Sequence, residues 1–112
     1  INGGNQKRDF IFVDDVVKAL LLSFEYLLKN KTYDVFNVLS NQVISIKQIA
    51  RLIAKILNVK PTINYKKLDI TDPIMSNGST DHILNKLGFV ADIGIEEGIK
   101  LTIDWAKFKI GK

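Results

Sequence analysis

The sequence predicts an α/β fold of about three short strands and four helices, on three observations. Short β-branched or aromatic runs recur between segments with helical spacing of apolar residues. Recognisable capping residues stand at the ends of those helical segments. The 112-residue length supports one domain, long enough to bury roughly two-thirds of its unfolded surface.

Phe10–Val13 reads as the first buried strand. Asp14 or Asp15 then caps a helix running to about Lys29. Val16, Leu20, Phe24 and Leu27 form one apolar face, and Val17, Leu21 and Leu28 a second, so the helix needs cover on more than one side. Tyr33–Leu39 reads as a second strand through Val35, Phe36 and Val38. Val43-Ile44 leads into Ser45-Ile46-Lys47-Gln48, a capping box in which Ser45 caps and Gln48 reaches back to its N–H. The helix that follows carries a stripe of Ile46, Ile49, Ala50, Ile53 and Leu57 and ends near Asn58, ahead of Pro61.

Thr62–Tyr65 has the alternation of a third strand, and Lys66–Gly78 is a polar loop without a period. Ser79 or Thr80 caps a short helix that stops at Gly88, a natural C′ residue. The last helix spans about Ile95–Phe108, with Glu96 and Glu97 in its first turn and Lys107 and Lys109 near its end, where each sign suits the helix dipole. A helix apolar on two faces and strands this short leave surfaces meant for another element.

Composition excludes several classes. The net charge is +4 from 16 basic and 12 acidic residues. The basic residues are scattered, with Lys66-Lys67 the densest pair, whereas nucleic-acid binders concentrate charge on one stripe; no nucleic-acid partner is expected. No apolar run nears the ~18–20 residues of a membrane span, so no membrane partner is expected either. The chain opens Ile1-Asn2-Gly3-Gly4, without Met, basic leader or apolar leader, and this start is expected to be a cut boundary. With no cysteine, the chain has neither disulfides nor thiolate metal sites, which suits a reducing cytoplasm. His82 is the single histidine and has no partner set for a metal or catalytic role; no metal is expected.

Three ordered stretches resemble the nucleotide-sugar branch of the extended short-chain dehydrogenase/reductases, the NAD(P)-dependent epimerases and dehydratases. Gly4-Asn5-Gln6-Lys7-Arg8-Asp9-Phe10-Ile11-Phe12-Val13-Asp14-Asp15, followed by Ala19, is similar to G-x-x-x-R-D-(F/W/Y)-(I/L)-x-V-x-D-x-x-x-A. Phe36-Asn37-Val38 with Ile44-Ser45-Ile46 resembles the Y-N-(V/L)-G-x-G passage and the S-(I/L) that follows. Leu87-Gly88-Phe89, Ile95-Glu96-Glu97-Gly98-Ile99 and Thr102-Ile103-Asp104-Trp105 resemble the closing block.

The resemblance covers nearly the whole chain. It implies that residues 1–112 form one C-terminal substrate-binding domain of a larger protein, without the Rossmann core. The implied partners are a nucleoside-diphosphate sugar, the protein's own N-terminal Rossmann domain and a second copy in a homodimer. The implied cofactor is NAD or NADP, bound by the N-terminal domain.

At the position of Arg8 the family has an arginine on the substrate diphosphate, and a guanidinium forks onto phosphate oxygens in a bidentate way. The alternative is that Arg8 pairs with Asp9 or another carboxylate and only orders its loop. Asn5 and Gln6, on the same turn, are candidate donors to the ligand. The family's second phosphate-binding arginine falls on Asp69, and a further one on Met75; Lys66 or Lys67 could stand in. Asp15 and Asn37 read as structural, and Trp105, in register with Leu101 and Phe108, as packing. No catalytic residue is expected: Tyr26, Tyr33 and Tyr65 are followed four positions on by Asn30, Asn37 and Asp69, never by the lysine of Tyr-x-x-x-Lys. Gly3-Gly4 also lacks the spacing of a dinucleotide cradle. The fragment alone is therefore expected to be inactive. A non-catalytic ligand- or partner-binding module is the alternative, since an acidic residue at position 69 would repel a diphosphate.

Overall fold

The computed structural model describes residues 1–67 and 79–111. All four helices form where helical spacing places them. They are α1 (Val13–Asn30), α2 (Ile46–Leu57), α3 (Asp81–Leu87) and α4 (Ile95–Ile110). α2 has the full capping box, with Ser45 Oγ accepting from Gln48 N–H and the Gln48 side chain accepting from Ser45 N–H. α3 ends at Gly88 in the left-handed conformation, as expected of a C′ glycine.

The strands are not where side-chain preference put them. β1 (Lys7–Asp9) pairs antiparallel with β2 (Val43–Ser45), Lys7 opposite Ser45, Arg8 opposite Ile44 and Asp9 opposite Val43. None of the three expected strands forms: Phe10–Phe12 runs on beyond the ladder, and Val13 already belongs to α1. Tyr33–Leu39 has no ladder partner among the described residues, and Thr62–Tyr65 merely precedes a single bridge between Asn2 and Lys66. A strand is a pairing, so apolar preference without a partner leaves extended chain, while polar Lys7–Asp9 becomes a strand because Val43–Ser45 lies beside it.

The core is small. Ala19 of α1, Ile83 of α3 and Phe89 are each 1% exposed, and Ile11, Leu22, Phe36, Val38, Leu87 and Ala91 pack around them. α2 packs against α4. Gly98 lets α4 approach the Phe10–Phe12 segment, since a Cβ there would meet Phe12 Cβ at 3.4 Å. The Cα radius of gyration is 17.0 Å, against ~13 Å for a self-contained domain of this length. Much apolar surface stays outside: Val13, Val17, Leu20, Leu21, Phe24, Leu27 and Leu28 of α1 are exposed, as are Tyr33 and Val35.

Two further expectations change. The N-cap of α1 is Phe12, with no side-chain cap. Asp15 is buried instead in the first turn, where its two oxygens accept the backbone N–H groups of Asp92 and Ile93 at 3.1 and 3.0 Å. It ties α1 to the segment entering α4. Asn37, expected to hold neighbouring backbone, is exposed and makes no hydrogen bond among the described residues. Trp105 and Phe108 are 61% and 81% exposed, so any packing role for them lies outside this chain's own core.

Candidate functional site

The candidate site is built around the turn before β1. Gly3 and Gly4 sit at φ 73 and 105, conformations that glycine adopts without a steric penalty. A Cβ on Gly4 would also come within 3.2 Å of the Tyr65 ring. Gln6 closes the turn from inside: Gly4 N–H donates to its Oε1 at 2.7 Å, and its Nε2 donates to Asn2 O at 2.6 Å. Both halves of the buried amide are thus engaged within the turn, while Asn5 is exposed. The Gly4 and Gln6 carbonyls accept the N–H groups of Lys47 and Ile46 at 2.9 and 3.1 Å, satisfying donors that the first turn of α2 leaves free.

Lys66 joins the same turn by backbone, its carbonyl accepting Gly3 N–H and its N–H donating to Ile1 O, both at 2.7 Å. Lys66 and Lys67 are exposed. Lys47 Nζ lies 5.4 Å from the Tyr65 ring centre, within cation–π range. The fold therefore brings Asn5, Gln6 and the Lys66-Lys67 pair to the turn at one end of the ribbon, with Arg8 in the middle of β1. Asp69 and Met75 lie outside the described residues.

Arg8 is half-buried on β1, and its Nη1 donates to the Lys7 carbonyl at 2.8 Å. Among the described residues it forms no ion pair. The neighbour that could have neutralised it, Asp9, is engaged elsewhere: its Oδ1 accepts from Ser40 N–H and Oγ–H and its Oδ2 from Asn41 N–H, all at 2.8 Å. Sequence reasoning weighed Asp9 only as an ion-pair partner for Arg8 and passed over the 40–42 turn that it binds. The available signal was Ser40-Asn41, a turn-forming pair directly ahead of a capping box.

His82 is placed away from this cluster. Its Nε2 meets both oxygens of Asp34 at 2.9 Å, and its ring stacks on Phe36 with centres 5.0 Å apart. The His82 hydrogen bond, then the Val35 N–H, holds the Asp34 carboxyl below its usual range. A depressed carboxyl favours the folded state above its unfolded pKa, so this tie between α3 and the 33–39 segment weakens as pH falls through the folded value. Among the described residues no three His, Asp or Glu side chains are grouped to hold a metal ion.

An apolar groove of about 690 Å³ runs between the Phe10–Asp14 segment, α2 and α4, lined by Ile49, Ile53, Ile99 and Trp105 among others. The turn at Gly3-Gly4 does not fit a dinucleotide: it opens a strand instead of a helix, and the space over Gly4 is taken by Tyr65. No helix among the described residues is long and apolar enough to cross a membrane.

Comparison with known proteins follows this geometry. The NAD dependent epimerase/dehydratase family matches residues 1–38. CDP-abequose synthase of Salmonella muenchen is 35% identical over 96 residues, covering 85% of this chain and 32% of that protein. UDP-glucuronate 4-epimerase of Thermodesulfobacterium geofontis is 29% identical over 108 residues, covering 96% of this chain and 32% of that protein. The solved structure of MoeE5 in complex with UDP-glucose and NAD superposes with a TM-score of 0.89 at 26% identity, covering 98% of this chain and 37% of that one. The chain spans about a third of the length of the curated relatives it matches. Its motif block, its fold and these relatives agree: residues 1–38 match the NAD dependent epimerase/dehydratase family, and the whole chain resembles about a third of such proteins.

Proposed function

We propose that residues 1–112 form the C-terminal, nucleotide-sugar-binding domain of an NAD(P)-dependent epimerase, dehydratase or reductase, working in the cytoplasm and inactive without its cofactor-binding portion. The observation carrying this reading is Arg8, held on a two-strand ribbon with its adjacent carboxylate committed to another turn. A guanidinium with no carboxylate partner among the described residues suits an external dianion, and the diphosphate of a nucleotide sugar is one. Lys66 and Lys67 supply further positive charge beside the same turn, Asn5 an exposed amide, and Gln6 the internal brace that shapes it. Lys66 or Lys67 stands in for the second phosphate-binding arginine, whose position Asp69 occupies.

The residues here position a substrate; hydride transfer is the chemistry NAD supplies from the cofactor-binding portion. That portion, an N-terminal Rossmann domain, covers the outer apolar face of α1 and pairs with the extended Tyr33–Leu39 segment. Homodimerisation belongs to the same portion.

Arg8→Ala in the longer protein should weaken substrate binding by about 1–3 kcal/mol through lost charge-assisted bonds, read as a rise in KM. An unchanged KM and kcat would remove Arg8 from the site. Asp69 and Met75 favour a second reading, a non-catalytic binding module. Calorimetry with UDP-, CDP-, GDP- and dTDP-sugars alongside a turnover assay separates the two, because binding without turnover supports only the second.

A further inference from the structure

The Ser40–Gln42 turn is where β1, α3 and α4 are joined. Asp9 accepts its three hydrogen bonds from Ser40 and Asn41. Asn41, at φ 64, donates from Nδ2 to Oγ1 of Thr80, the N-cap residue of α3, at 2.8 Å. Gln42 Oε1 accepts Ile95 N–H, a first-turn donor of α4, at 3.0 Å. A ribbon of three residues per strand is marginal alone and depends on what anchors its ends. At one end the Gly4 and Gln6 carbonyls bind the start of α2; at the other Asp9 binds the 40–41 turn. Arg8 lies between these anchors.

Successive side chains leave a strand on opposite faces. Asp9 can therefore hold β1 without touching the guanidinium beside it, yet the two share a peptide unit, so freeing one lets the other turn. We infer that Asp9 is a positioning residue for Arg8: by locking β1 to the 40–41 turn it presents the guanidinium in one orientation to the diphosphate of the substrate. This rests on the substrate-binding reading of Arg8. The benefit is preorganisation, since a strand already fixed has little ordering left to undergo when the ligand arrives.

The test is a double-mutant cycle in the longer protein, using wild type, Arg8→Ala, Asp9→Ala and the double variant. Calorimetry measures binding of UDP, CDP, GDP and dTDP, and thermal melts record folding. Asp9→Ala should weaken the best-bound diphosphate about tenfold alone and by less than about twofold when Arg8 is already alanine, the non-additivity expected of coupled residues. Asp9→Asn, which keeps an acceptor for Ser40, should fall between wild type and Asp9→Ala.

An Asp9→Ala effect that is absent, or equally large in both backgrounds, overturns the inference while leaving Arg8 in the site. An Arg8→Ala variant that binds as tightly as wild type, or a wild type that binds none of the four, overturns the reading beneath it and the inference together. Should Asp9→Ala fail to fold, Ser40→Ala and Asp9→Asn complete the same cycle, and equal losses in both backgrounds would again overturn the inference.

Discussion

Helix α2 starts on a complete capping box, ends on a left-handed Asn58 whose N–H reaches back to Ala54 and Lys55, and lays one stripe against α4. Helix α1 starts without a side-chain cap and buries Ala19 on one side. On the other side it leaves Leu20, Leu21, Phe24 and Leu28 at 60–64% exposure. The two helices come from the same chain and read alike as apolar periodicity, but only α2 is completed by local signals and its own neighbours. The difference teaches that the outer face of α1 is left uncovered by the described residues of this chain, as the proposed reading requires.

Placing Lys at Leu20 and Phe24 together should break that contrast most strongly. In the longer protein, activity should fall by about a hundredfold or more, because burying each unpaired charge costs several kcal/mol. The isolated chain's urea midpoint should hardly move, with the stability change inside about 0.5 kcal/mol as for other surface substitutions. Equal destabilisation of both proteins would show that the outer face is already covered by this chain.

Asp15→Ala tests the inner side of α1. It leaves the N–H groups of Asp92 and Ile93 without their acceptor, which should lower stability by about 2 kcal/mol. Chemical denaturation of the isolated chain reads this directly, and Asp15→Asn should recover part of the loss. A neutral Asp15→Ala would mean that α1 is held only by its apolar contacts.

Ser45→Ala sharpens the other half of the comparison with the smallest effect, about 1 kcal/mol from losing the cap at the start of α2. Because the capping box is local, amide exchange should rise in the first turn of α2 and leave α1 unchanged. A loss spread over both helices would show that α2 is no more autonomous than α1.

The helices were legible because their signals are local: Ser45 and Gln48 are three residues apart, and Gly88 terminates α3 wherever it is packed. Strand positions were not legible, because Lys7–Asp9 is a strand only by virtue of Val43–Ser45, more than thirty residues away. Arg8 and the turn carrying it were readable from the Gly4-to-Asp15 motif. The position of Lys66 beside that turn depends on backbone bonds to Ile1 and Gly3 that no pattern announces. Asp15 showed both outcomes: its importance was readable, but its bonds to Asp92 and Ile93 span 77 and 78 residues, and a capping role was the only local alternative.

What the sequence determined by itself was the resemblance to a family, the four helices, the two-faced character of α1 and the identity of the arginine at the ribbon. Periodicity, caps and motif spacing are properties of neighbouring residues, so the chain carries them before it folds. The tertiary structure alone decided which segments pair and that Asp9 leaves Arg8 without a partner carboxylate among the described residues. Ladder partners and acceptors for isolated N–H groups are chosen by proximity in space, and proximity exists only once distant parts of the chain have come together.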